Sequence, residues 1–197
     1  MKNTTSGPLG TRELINVGLF TALYFIVFFV CGMLGYIPVL MLAIPFVCPF
    51  VAGIPFMLYL TKVKKFGMVT ITGGICGFLM LVTGMSWQGM VTGIVFGLIA
   101  DCILLASEYR SAKMSVIAYA CFSLWLMGMM FPLFFMKESY IAALRPTYGN
   151  EYADTLNAIT PTWAYFVLAG LSFVGGLAGG IMGRVTLRKH FSRAGLA

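Results

Sequence analysis

Leu14–Leu34 reads LINVGLFTALYFIVFFVCGML and carries no charged residue. At 1.5 Å rise per residue, a helix of this length crosses the roughly 30 Å hydrocarbon core of a bilayer. Thr11 stands before it, and Glu13 suits the positive end of its dipole. It leaves through Gly35-Tyr36-Ile37-Pro38, read as a tight turn. The same pattern recurs along the chain. Further apolar stretches run from about Val39 to Leu60, Met68 to Thr83, Trp87 to Ser107, Ser115 to Met136 and Thr162 to Val185. The expectation is an all-α membrane protein, a bundle of six transmembrane helices forming a single domain over residues 1–197.

The polar breaks orient this bundle. Of thirteen Lys and Arg residues, eleven fall at one end: Lys2, Arg12, Lys62, Lys64, Lys65, Arg110, Lys113, Arg184, Arg188, Lys189 and Arg193. The other end has only Lys137 and Arg145. The positive-inside rule therefore predicts cytoplasmic N- and C-termini in a prokaryotic cell membrane. Composition agrees: 60% of residues are hydrophobic, 10% are charged, and mean hydropathy is +0.94. A soluble domain would carry roughly a quarter charged residues. The net charge of +7 is read as topology and lipid-headgroup contact, with no nucleic-acid partner. No cleavable signal peptide is expected, since the first dozen residues are polar and the apolar run after them is too long. The five cysteines stand singly, so neither a zinc site nor a disulfide framework is implied.

Two spans carry unusual residues. Pro45, Pro49 and Pro55 all fall within the second. Each removes a backbone donor, which leaves two readings: a bent structural helix, or a broken helix beside a ligand cavity. Glycines recur four apart at Gly89, Gly93 and Gly97, and again at Gly175, Gly179 and Gly183, with Gly73 and Gly77 as a shorter pair. Small residues on one helix face let backbones approach closely in lipid. Gly18 and Ala22 differ: they form a small notch on a first span otherwise rich in bulky side chains. That notch could receive a partner helix.

Chemistry-bearing residues are few. Asp101 is the one ionisable residue well inside a span; structural pairing with Lys or Arg and a functional role are both open. The single His190 lies in the basic tail. No H-E-x-x-H, no Gly-x-Ser-x-Gly and no G-x-x-x-x-G-K-[ST] occurs, so no enzyme activity, metal or cofactor is expected. The richest polar stretch is Lys137–Pro161, a long outer loop with two readings: an ordinary solvated loop, or a lid over a small polar ligand. Thr160-Pro161 reads as the N-cap and first residue of the last span. The candidate substrate-binding residues are Trp87, Gln88, Glu138, Tyr140, Arg145, Tyr148, Asn150 and Trp163. Arg145 is the first choice of anchor for an anionic group. Fourteen Met and nine Tyr could suit haem or a metal, but most of the methionines lie in spans and are read as adaptable core filler.

Together, the Thr11–Ala22 opening, the Gly35–Pro38 turn, the Pro-rich second span and the Lys62-Val63-Lys64-Lys65-Phe66-Gly67 break resemble the Trep_Strep family of integral membrane proteins. That family is grouped with the substrate-binding S components of energy-coupling factor (ECF) transporters, an ABC-type class of importers. The resemblance implies capture of a vitamin or related trace compound near the outer surface. It also implies docking to a transmembrane T component coupled to two ATPases. Family members commonly carry Ala-x-x-x-Ala on the first helix at the docking surface; here Gly18 and Ala22 stand in that register, and Ile26 breaks its continuation. Two alternatives stay open: a self-contained secondary transporter coupled to protons through Asp101, and a membrane scaffold without ligand. The single interrupted span, with no matching partner, weighs against the first.

Overall fold

The computed structural model describes residues 10–193 of the chain. Lys2 lies outside them, and so do the side chains of Arg12, His190 and Arg193. The described residues form helices and turns, with no strand among them. Helix α1 covers Thr11–Gly32 and runs into a 3-10 turn at Met33–Tyr36. Ile37 is extended, as the residue before a proline tends to be. Pro38 then opens the short α2, Pro38–Met41. The second span is thus shorter than the sequence indicated: α3 begins only at Ile44 and ends at Lys62.

Helix α3 is continuous through Pro49 and Pro55. Pro45 sits in its first turn, where a missing N–H leaves no bond unmade. Buried Tyr119 donates to the Pro49 carbonyl at 2.6 Å, which ties α3 to a neighbouring helix at the interruption. Only Ile44, at its first residue, reaches the cavity described below. The reading as an unbroken structural helix therefore describes α3, and Pro49 and Pro55 do not line the cavity.

Next come α4 (Met68–Val82), α5 (Gln88–Ala106), α6 (Ala112–Ser123) and α7 (Leu126–Phe135). A tight turn joins α6 to α7, and together they make one apolar stretch, Ala112–Phe135. Helix α10 (Ala164–Arg193) closes the bundle. Among the described residues, five apolar helical stretches are long enough to cross a membrane; α4 is shorter, at 15 residues.

Two close seams organise the packing, one between α3 and α10 and one between α4 and α5. A Cβ on Gly183 would stand 2.6 Å from the Gly53 carbonyl oxygen, and one on Gly175 would stand 2.6 Å from that of Phe46. In the second seam Gly73 and Gly93 face each other backbone to backbone, and a Cβ on Gly97 would stand 2.7 Å from Thr70 Cα. These glycines replace side-chain layers with direct backbone approach. Between the seams lies an aromatic core of Tyr24, Phe28, Phe56, Tyr119, Phe122 and Trp125, all buried. Its Phe56 and Phe122 rings stack at 5.1 Å, and Trp125 Nε1 donates to Tyr24 Oη at 3.1 Å.

The stretch expected as a loop over 137–161 is instead two helices, α8 (Lys137–Tyr148) and α9 (Asn150–Ile159). They meet at Gly149, whose φ of 86° a side chain would resist. The stretch folds because it is amphipathic: Ile141, Ala153 and Leu156 are buried beneath it while Glu138, Asn150 and Asp154 face out. Thr160 is no N-cap for α10. Its hydroxyl donates back to the Leu156 carbonyl at 2.7 Å and so closes the end of α9. Residues of α8 and α9 line one cavity with Met80 and Thr83, at the end of α4 remote from Lys62–Lys65, so they sit at the opposite end of the bundle. At the basic end Glu13 pairs with Lys65 at 3.3 Å.

Candidate ligand cavity

Beneath α8 and α9 lies a cavity of 340 Å³, within the size range of small-molecule sites. Each wall arises from a local feature already described. The end of α1 brings in Gly32, and the 3-10 turn after it brings in Met33, Gly35 and Tyr36. Helix α2 adds Met41, the end of α4 adds Met80 and Thr83, and the following turn adds Met85. Met129 and Met130 come from α7. Tyr140, Leu144 and Tyr148 of α8 and Tyr152 of α9 form the roof. Phe28, at the edge of the aromatic core, lies in the floor.

Six of the chain's fourteen methionines thus converge on one cavity. Their thioethers are soft and adaptable and make favourable contacts with ring edges. The tyrosines form a ladder: Tyr148 stacks on Tyr152 at 4.9 Å, and Tyr36 stands 6.1 Å from Tyr148. Tyr152 anchors that ladder by donating its hydroxyl to the Gly35 carbonyl, which links α9 to the turn after α1. Burial raises the phenol of Tyr140 above its ordinary range, and burial with Tyr140 and Tyr148 nearby pushes Tyr152 up to about 12. Both are therefore neutral hydrogen-bond donors near neutral pH. No lining residue carries a charge.

Of the residues singled out in the sequence, Tyr140 and Tyr148 line this cavity. Trp87 and Gln88 share with Tyr140 a second, more open hollow of 250 Å³ over Pro132 and Met136. Gln88 Nε2 donates to Met136 Sδ at 3.9 Å, and its Oε1 is buried with no hydrogen-bond partner. Arg145 is not a lining residue. It donates to Asn150 Oδ1 at 3.0 Å and pairs with Asp154 Oδ1 at 2.6 Å, so Arg145 and Asn150 together join α8 to α9. Lys137, the other cation at this end, donates to the carbonyls of Asn157 at 2.7 Å and Thr160 at 2.9 Å. Glu138 is exposed, and Trp163 is 67% exposed on the bundle's flank.

Sequence reasoning overlooked the methionines, Tyr36 and Tyr152 as wall residues. One local signal existed: Tyr148 and Tyr152 stand four apart, on one face if helix continues across Gly149. Two further predicted positions behave differently. Gly18 and Ala22 are exposed on α1, and a Cβ on Gly18 would meet nothing within 4 Å. Ile15, Leu19, Leu23 and Ile26 stand exposed around them, so the notch is open on the outside of the bundle. Among the described residues, no cluster of three or more His, Cys, Asp or Glu could hold a metal ion.

Among the described residues, no ion pair joins Asp101 to a Lys or Arg. Asp101 is fully buried and accepts from the backbone N–H groups of Val69 at 3.2 Å and Thr70 at 2.9 Å. A third bond comes from the Thr70 hydroxyl at 2.7 Å. These are orphan donors of the first turn of α4, so a carboxylate on α5 caps the next helix.

The geometry defines an all-helical integral membrane protein with an uncharged cavity at one end. Residues 11–193 match the family model described as hypothetical bacterial integral membrane protein (Trep_Strep), and the chain belongs to that family. No curated protein and no solved structure matches it.

Proposed function

We propose that this chain is the substrate-binding membrane subunit of an ECF-type importer. In this reading it has six crossings, with α4 as a short one, and both termini in the cytoplasm. It captures a small nutrient in the cavity beneath α8 and α9 at the outer face. It then delivers that nutrient together with a T component and two ATPases. The observation that carries the proposal is the separation of two surfaces. The cavity lies at the end of the bundle remote from the basic residues, while the open notch at Gly18 and Ala22 faces outward on α1. A carrier that must hold a ligand and dock an energising partner needs both, and needs them apart. The absence of any Walker A motif makes an external ATPase necessary for ATP-driven transport.

A proton-coupled transporter would depend on Asp101, and its three hydrogen bonds to α4 already occupy that carboxylate. A scaffold gives the cavity no role. The test is affinity purification of the full chain from its native membrane in mild detergent, followed by mass spectrometry of co-purifying proteins. The expected result is one further integral membrane protein and two ATPase subunits in stoichiometric amounts. Recovery of the chain alone, with ATP-independent uptake in proteoliposomes, would refute the proposal.

A further inference from the structure

We infer that the cavity takes a neutral, ring-bearing ligand, held by stacking and thioether contact, and excludes carboxylates and phosphates. This deepens the reading above, because it assigns a chemical class to the compound bound at the same site.

The exclusion comes from charge. An anion buried without a partner suffers a large desolvation penalty, so sites that hold anions supply a cation or a cluster of N–H donors. Here both cations near the cavity end are committed elsewhere: Arg145 to Asp154 and Asn150, Lys137 to two carbonyls. Neither lines the cavity. The hydroxyl-bearing lining residues are Thr83 and the tyrosines; Thr83 and Tyr152 already donate to the carbonyls of Met80 and Gly35, and their oxygens keep lone pairs for a neutral donor on a ligand rim.

The preference for rings comes from the walls. Aromatic pairs gain when centroids lie about 4.5–7 Å apart in offset or edge-on geometry. The Tyr36–Tyr148–Tyr152 ladder already holds that spacing, and a flat ligand entering beneath it extends the stack by one member. Met80, Met129 and Met130 line the same space from the bundle below, where sulfur meets ring edges. An acyl chain would fill the same volume without using either feature.

Three probes separate these cases on the full chain in nanodiscs at pH 7, with empty nanodiscs subtracted: 2-naphthol, the slightly larger anion 2-naphthoate on the same ring system, and the ringless neutral 1-octanol. Calorimetry should show saturable binding of 2-naphthol, at least tenfold weaker binding of 2-naphthoate, and no competition by equimolar 1-octanol. Gly32→Leu should abolish the 2-naphthol signal by filling the cavity. Gly32 lines it, and a Cβ there meets nothing within 4 Å, so the helix is undisturbed. Met85→Trp, at a half-exposed wall position, repeats the test independently of Gly32, and thermal midpoints check that both variants fold. Equal or tighter binding of 2-naphthoate would overturn the ligand class while leaving the importer reading to its own partner test. Effective competition by 1-octanol would assign the cavity to lipid and overturn it too. Absence of saturable 2-naphthol binding, or binding unchanged by both substitutions, would equally overturn it.

Discussion

Asp101 on α5 holds Thr70 on α4 through two bonds, 2.9 Å to its backbone nitrogen and 2.7 Å to its hydroxyl. The third bond, from Val69, completes a helix cap supplied by another helix. Removing a hydrogen bond to a charged group costs about 1.5–3 kcal/mol. Asp101→Ala should therefore lower the thermal midpoint of the purified chain more than Thr70→Val, which removes only the hydroxyl bond. Neither should change the pH dependence of uptake. An Asp101→Ala protein as stable as the wild type would show that the cap contributes nothing. A well-folded Asp101→Asn variant that lost pH-dependent uptake would favour proton coupling.

The glycine seams make a sharper contrast. Gly93 lies against the Gly73 backbone, whereas a Cβ on Gly18 meets nothing within 4 Å. Overpacking a filled site typically costs about 1–3 kcal/mol, and a backbone obstacle relaxes less easily than a side chain. Gly93→Leu should prevent recovery of folded protein, and Gly18→Leu should leave yield and melting temperature near wild type. Size-exclusion profiles in detergent read both. Equal behaviour of the two variants would mean the seams are not where the helices meet.

Gly18→Leu combined with Ala22→Leu tests the notch for function. Binding of ligand to the isolated subunit should persist, while uptake and co-purification of the T component are lost. The predicted difference rests on exposure: both residues lie on the outside of α1, while Thr21, Tyr24 and Phe28 turn inward. Normal uptake by the double variant would remove the notch from the docking surface.

How much of this was legible beforehand depends on the range of the interaction. The apolar spans and the glycine repeats follow from local composition and four-residue spacing: among the described residues five stretches are long enough to cross a membrane, and the glycines fall in the two helix seams. Asp101 was recognisable as unusual, but its partners lie 31 and 32 residues away on another helix, beyond any spacing rule. The Lys137–Pro161 stretch reads as a loop in sequence because its apolar residues are sparse among polar ones; only the burial of Ile141, Ala153 and Leu156 defines an inward face. The cavity itself was invisible. Its methionines come from five separate stretches, and each alone looks like core filler. Arg145 drew notice as a rare cation, yet its neighbours Asn150 and Asp154 occupy it.

That placement reverses the expectation for Arg145. A direct anchor would lose about one to two decades of affinity on substitution. An ion pair with side chains 41% and 62% exposed contributes only about 0–1 kcal/mol to stability. Arg145→Ala should therefore leave ligand affinity within about threefold of wild type, a change of less than about 1 kcal/mol. Calorimetry on the isolated subunit measures it, and a hundredfold loss would restore Arg145 as an anchor.

Tyr152 gives a pH test. Its phenol ionises near 10 in an unfolded chain and is pushed up to about 12 in the fold, chiefly by burial. The folded state therefore keeps its proton where the unfolded state loses it. The resulting stabilisation is complete below about pH 10 and disappears as pH rises through about 12. Tyr152→Phe, which also removes the bond to Gly35, should lower stability by about 0.5–1.5 kcal/mol at neutral pH and flatten the alkaline decline. An unchanged alkaline profile would mean Tyr152 is not held as described.

The most direct test of the cavity as the substrate site is native mass spectrometry of the full chain released from nanodiscs made from its own membrane. The account predicts a small-molecule adduct of defined mass on the wild type and on Arg145→Ala, and its loss from folded Gly32→Leu. The same adduct on Gly32→Leu at wild-type occupancy would contradict it and move the site elsewhere in the bundle.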